Sequence, residues 1–157
     1  MNVQSLTQIQ PKDLDASEIE VRLGATWIEP KYINDFMTET FHTPRYLVNS
    51  GSVAVQFAPV TGEWNVKGKN ADYGNTLATM TYGTSRANAY RILEDSLNLK
   101  DVRIYDTIEE DEKEKRVLNK KETMIASQKQ EAIREAFKDW IFRNPERRQA
   151  LVEKYNT

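Results

Sequence analysis

The sequence predicts an α+β domain: a small, largely antiparallel sheet packed by several helices, with a long amphipathic C-terminal helix. Three observations carry this expectation. Residues 53–66 alternate apolar and polar side chains across a turn-forming stretch, which is the period of a half-buried β-hairpin. Residues 33–41 and 132–141 instead repeat their apolar side chains every three or four positions, as a helix with one buried face does. The chain has 157 residues, enough to close one core around such elements.

In chain order, residues 1–12 read as a polar tail, and residues 13–157 as a single domain whose part from 119 to 157 is helical. Asp15 or Ser17 offers an N-cap for a short helix over Leu14 to Leu23. Pro30 suits the first position of a second helix, whose buried face is Ile33, Phe36, Met37 and Phe41. Val53, Val55 and Phe57, then Trp64 and Val66, form the hairpin, with Gly62 in its loop. The alternation of Leu77 and Thr79 with Ala78 and Met80 predicts a third strand, Thr76 to Tyr82. Gly83 breaks that strand, Thr84 or Ser85 caps the next helix, and Ala89, Ile92, Leu93 and Leu97 or Leu99 make its buried stripe. Val102–Asp106 and Arg116–Leu118 pair as strands around an acidic loop. A long helix runs from Asn119 towards Phe142, buried through Ala132, Ile133, Ala136, Phe137, Trp140 and Ile141. Asn144 caps and Pro145 opens a last helix that ends without a stop signal, as if the chain continued.

Charge is unevenly distributed. The net charge is −2, too small for a field that would draw the whole chain to nucleic acid or to a membrane. Yet Lys115–Thr157 holds eleven Lys and Arg against six Asp and Glu, while "DTIEEDEKE" (106–114) holds six acids and one lysine. The chain lacks cysteine, which removes disulfides, thiolate metal sites and cysteine nucleophiles and fits a reducing cytoplasmic setting. Its start has no signal-peptide pattern, and no apolar run approaches the ~18 residues of a membrane span.

Several chemistries lack their residues. Gly68-Lys69 is followed by Asn70 and has no earlier glycine, so it is not a nucleotide-binding phosphate loop. "NPER" (144–147) shares only two residues with the Asn-Pro-Pro-aromatic turn of adenine methyltransferases and reads better as a helix cap. His42 is the single histidine and has no second histidine to complete a triad or a metal set. These readings predict no catalytic residue, no metal site and no cofactor.

The most suggestive stretch is "YGTSRANAYRILEDSLNL" (82–99). A helix N-terminus with free amides accepts a phosphate, and Arg86 adds a forked cation suited to phosphate oxygens. Thr84 and Ser85 are also what any helix prefers as a cap, and taken bare the stretch favours plain capping. Arg143, Arg147 and Arg148 near the last helix start form either a second patch for DNA backbone phosphates or a solvated helical face. Trp64, Tyr73 and Tyr82 are candidates for stacking on bases, although alternation puts Trp64 in the core.

The strings "LDASEIEVRLGATWIEPKYI", "FAPVTGEW", "YGTSRANAYRILEDSLNL" and "RVLNKKETMIASQKQEAIREAFKDWIFRNPERRQALVEKYN" resemble one region of very large bacterial proteins of conjugative elements, plasmids and phages. Those proteins combine an adenine-specific DNA methylase with an SNF2-type helicase, and the region lies between the two. The resemblance implies a non-catalytic connecting domain with the flanking methylase and helicase modules as partners. DNA backbone is then contacted through Thr84, Ser85, Arg86, Arg143, Arg147 and Arg148. The alternatives are a protein-interaction module that positions the two enzymatic parts, and a free-standing mobile-element protein that binds a host factor.

Overall fold

The computed structural model describes residues 28–155 together with Leu23 and Ala25. The polar tail over 1–12 and the helix expected over Leu14 to Leu23, with its cap at Asp15 or Ser17, lie outside the described residues.

Helix α1 (Pro30–Phe41) starts on extended Glu29 with proline in its first turn, where a missing N–H costs nothing. Its buried face is Ile33, Phe36, Met37 and Phe41. His42 ends it in the left-handed conformation, φ 53°, with its N–H on the Thr38 carbonyl, which makes His42 a helix-end residue. A short helix α2 (Arg45–Asn49) follows Pro44 and buries none of its residues. Without an apolar face it left no periodic signal in the sequence.

Strands β1 (Ala54–Ala58) and β2 (Glu63–Lys67) pair antiparallel, with Val55 opposite Val66 and Phe57 opposite Trp64. These four side chains share one face, as their alternation predicts, and Trp64 is buried. Gly62 sits in the loop at φ 74°. Side chains of flanking helices take the outward-pointing N–H groups of Val55, Trp64 and Val66. Asn34 of α1 accepts the Val55 N–H at 3.1 Å. From helix α3 (Ala89–Leu97) and its C-cap Asn98, Glu94 accepts the Val66 N–H at 2.8 Å. Asn98 accepts the Trp64 N–H and donates to the Trp64 carbonyl.

The structure corrects the third strand. Thr76–Tyr82 is a single π-helical turn over Leu77–Thr81, with the Tyr82 N–H on the Leu77 carbonyl. Asn75 starts the winding by accepting the Leu77 N–H on its side chain and the Ala78 and Thr79 N–H groups on its carbonyl. The sheet is accordingly two separate two-stranded hairpins. The second pairs β3 (Tyr105–Glu110) with β4 (Lys113–Leu118). Of the expected Val102–Asp106 strand only residues 105 and 106 pair, with Leu118 and Val117; residues 102–104 are not in a strand, and the acidic segment is no loop. It forms the strands themselves, turning at Asp111 and Glu112, both with positive φ, the two-residue turn that matches strand twist.

Helix α4 (Lys120–Arg143) is capped by the Asn119 side chain on the Glu122 N–H, and helix α5 (Pro145–Tyr155) follows. The buried residues of α4 are Ala126, Gln130, Ile133, Phe137, Trp140 and Ile141. Ala132, expected in the stripe, is exposed, and Gln130, not expected there, is buried. Gln130 donates to the Ser96 hydroxyl and the Lys100 carbonyl and so ties α4 to the end of α3. Phe36 meets Phe137 and Trp140 edge-on at 5.1 and 5.7 Å, and Phe41 meets Tyr90 at 5.6 Å, the geometry that aromatic quadrupoles favour. No helix of the described residues is long and apolar enough to cross a membrane.

Trp140 is 2% exposed and donates its indole N–H to Glu39. Trp140→Ala is therefore expected to cost about 3–5 kcal/mol in denaturant unfolding. Less than about 1 kcal/mol would show that the ring is not part of the core. A Cβ on Gly83 would lie 2.2 Å from the Ala78 carbonyl oxygen, whereas one on Gly74 meets nothing within 4 Å. Gly83→Ala should destabilise by about 1–3 kcal/mol and Gly74→Ala by no more than about 0.5 kcal/mol, compared in the same unfolding experiment.

Candidate functional site

The start of α3 is organised differently from the sequence expectation. Asn88, not Thr84 or Ser85, is the N-cap: its extended backbone precedes the helix and its side-chain oxygen accepts the Arg91 N–H at 3.0 Å. Its amide also donates to the Lys69 carbonyl at 2.8 Å, which pins the loop after β2 against the helix start. Thr84 instead builds the preceding turn, where its hydroxyl accepts the N–H groups of Arg86 and Ala87, each at 3.0 Å. Ser85 is exposed at the apex of that turn and has no hydrogen-bond partner among the described residues. Of three capping residue types before the apolar stripe, the one adjacent to Ala89 prevails, because a cap must lie within one turn of the amides it satisfies. Leu97 is buried in the stripe, whereas Leu99 is exposed at φ 58°.

Thr84, Ser85 and Arg86 nonetheless share a feature. They line an open groove of about 420 Å³ together with Lys69, Tyr73 and Arg91. Three cations therefore converge beside hydroxyls and an 85%-exposed tyrosine. Two of them are partly engaged. Lys69 donates to Glu94 at 2.7 Å and to the Val66 carbonyl, and Arg86 donates to Asp106 at 2.8 Å and to the Tyr105 carbonyl at 2.9 Å. Arg91 donates to two neutral acceptors, the Arg86 and Arg103 carbonyls. Its positive charge thus has no contacting carboxylate among the described residues. Hydrogen bonds from Arg86 and then Asn119 hold the Asp106 carboxyl below the usual carboxylate range. The stabilisation from that contact is complete above the ordinary carboxylate pKa and is lost only as pH falls through the depressed value.

In the second cluster, Arg143 and Arg147 line one open depression with Glu39 and Glu146. Arg147 lies with its guanidinium 3.5 Å over the Trp140 ring and donates to the Trp140 carbonyl. Its Nε is buried without a partner among the described residues, and burial pushes its pKa down. Arg147 thus closes the corner between α4 and α5, where a planar cation on an indole face is favourable. Arg148 donates to the Phe142 carbonyl, and Arg143 is exposed in the last turn of α4. Asn144 caps α5 through the Glu146 and Arg147 N–H groups, as its sequence suggests. Sequence reasoning missed Lys69 and Arg91 as groove residues. Lys69 was weighed only against a phosphate loop, and Arg91 lay hidden in a helix pattern.

A family model described as a domain of unknown function (DUF8437) matches residues 22–157, and the chain belongs to that family. No curated protein and no solved structure matches it.

The capping geometry makes a specific prediction. Asn88→Ala removes both the cap and the tie to Lys69 and should lower unfolding free energy by about 1–2 kcal/mol. Ser85→Ala should change it by no more than about 0.5 kcal/mol. Equal effects would mean that the helix starts at the earlier residues.

Proposed function

We propose that the domain is a non-catalytic unit that contacts DNA backbone and joins enzymatic modules of a larger cytoplasmic DNA-processing protein, methylase on one side and helicase on the other. The observation that carries the DNA half of this reading is the groove, with Lys69, Arg86 and Arg91 converging beside Thr84, Ser85 and Tyr73. Guanidinium forks and hydroxyls suit phosphate oxygens, and an exposed ring suits an unstacked base. The connecting role rests on the resemblance in the four sequence strings. The non-catalytic half rests on the sequence, which has neither the glycine pattern of a nucleotide-binding phosphate loop nor the Asn-Pro-Pro-aromatic turn of adenine methyltransferases.

Binding should be sequence-tolerant and strongly weakened by salt, because backbone contacts position without specifying. Fluorescence anisotropy with single- and double-stranded oligonucleotides at low salt measures it. Arg86→Ala and Arg91→Ala should each reduce affinity for all sequences alike. Together they should flatten the slope of log affinity against log salt by up to about two units. No binding of either nucleic-acid form, or binding untouched by the paired substitution, overturns the DNA reading. ATP hydrolysis by the pure chain that disappears with Lys69→Ala overturns the non-catalytic one.

A further inference from the structure

Tyr73 is exposed in a way that the loop around it does not explain. The residue is 85% exposed, and it has no hydrogen bond, ring contact or cation contact among the described residues. The loop that carries it is nonetheless held on both sides. Asn88 bonds to the Lys69 carbonyl at 2.8 Å. Asp72, directly before the ring, is buried and accepts the Tyr90 hydroxyl at 2.7 Å and the Asn75 amide at 2.8 Å. A ring placed by only two torsions on a pinned loop loses little freedom when something stacks on it.

The charge beside the ring is sparse. Of the three cations in the groove, Lys69 and Arg86 are offset by Glu94 and by Asp106, the latter at the base of the β3–β4 ribbon. Arg91 is not, and it donates to the carbonyl of Arg103 at 3.2 Å. Arg103 is exposed, and its guanidinium has no partner among the described residues. Two uncommitted arginines therefore adjoin, one lining the groove and one next to it. Binding to backbone alone grows with the number of phosphates neutralised, and two cations make a small footprint on a duplex. A duplex also keeps its base faces inside the stack and shows only their edges, so Tyr73 meets a base face there only after unstacking. An unpaired strand offers the face freely, and stacking and charge then act together. The groove, about 420 Å³, has the size of a small-ligand pocket.

We propose that the groove takes single-stranded DNA in preference to duplex, with one unpaired base stacked on Tyr73 and phosphates of the same strand on Arg91 and Arg103. This rests on the DNA-contacting reading of the same groove. It adds the form of the strand, the residue that selects it, and a cation beyond the groove wall.

The test titrates the full chain at low salt into three labelled probes and reads fluorescence anisotropy. The probes are a sixteen-nucleotide mixed-sequence strand, the duplex of that sequence, and an abasic strand of the same length. The intact strand should bind several-fold more tightly than the duplex. Tyr73→Ala should weaken binding of the intact strand by about 5-fold or more, the low end for loss of one base–aromatic stack. It should leave duplex binding and the unfolding midpoint unchanged. Tyr73→Phe keeps the ring and should bind as the unaltered chain does. The abasic strand should bind more weakly than the intact one, and Tyr73→Ala should weaken it no further. Arg103→Ala should flatten the salt slope for the strand by about 0.7 units, the share of one phosphate. Duplex bound as tightly as the strand, or Tyr73→Ala without effect on the intact strand, overturns the single-strand inference and leaves the DNA-contacting reading standing. An unchanged slope in Arg103→Ala overturns the part given to Arg103, and binding of neither form overturns both readings.

Discussion

The outer backbone edges of the first hairpin constrain everything around them. A two-stranded hairpin buried on one side exposes N–H and C=O groups that cannot be left dry, since an unpaired buried polar group costs more than a hydrogen bond returns. Here Asn34 satisfies one edge from α1, and Glu94 and Asn98 satisfy the other from α3. Each bond also fixes where its helix lies along the strand. With α1 and α3 docked by their polar side chains, the apolar faces of both close over Val55, Trp64 and Val66. The β2 edge is then fully engaged, and on β1 the Val55 N–H is taken.

The same logic recurs where helices meet. Tyr90 is buried, yet its hydroxyl bonds to both Thr43 and Asp72 at 2.7 Å, and Asn75 ties Asp72 to the Phe41 carbonyl. Burial foremost, with the Asp72 hydrogen bond contributing, pushes the Tyr90 phenol pKa up, so it remains a neutral donor. Gln130 performs the equivalent task between α4 and the end of α3. Satisfied networks of this kind specify one arrangement of a core that apolar packing alone would leave less defined.

Elements whose signal is local were legible in the sequence. The hairpin followed from alternation, the buried face of α1 from its spacing, and α4 from a 24-residue pattern bounded by Asn119. Elements decided by distant partners were not. The alternation at Leu77–Met80 is real, but the chain there winds on Asn75, which takes the N–H groups of residues 77 to 79. Arg147 sits in a basic run, yet its fate is set by the Trp140 ring seven positions earlier. In the groove, Thr84, Ser85 and Arg86 were legible as a cluster. Lys69 joins them because Asn88 bonds to its carbonyl, a contact that spacing along the chain does not announce.

Charge is partitioned so that the two exposed features oppose each other across a single contact. The groove gathers Lys69, Arg86 and Arg91, and the ribbon carries all six acids of 106–114. Arg86 belongs to both, since its two terminal nitrogens hold Asp106 and the Tyr105 carbonyl at the base of the ribbon. An anion that engages Arg86 through those atoms must displace them, and among the described residues the ribbon then keeps only Asn119 as its side-chain tie to the body. Arg91 bears no such commitment to a carboxylate. Within the groove, Arg91 is therefore the cation whose charge is least committed, and Arg86 is the one whose contacts are shared with the ribbon.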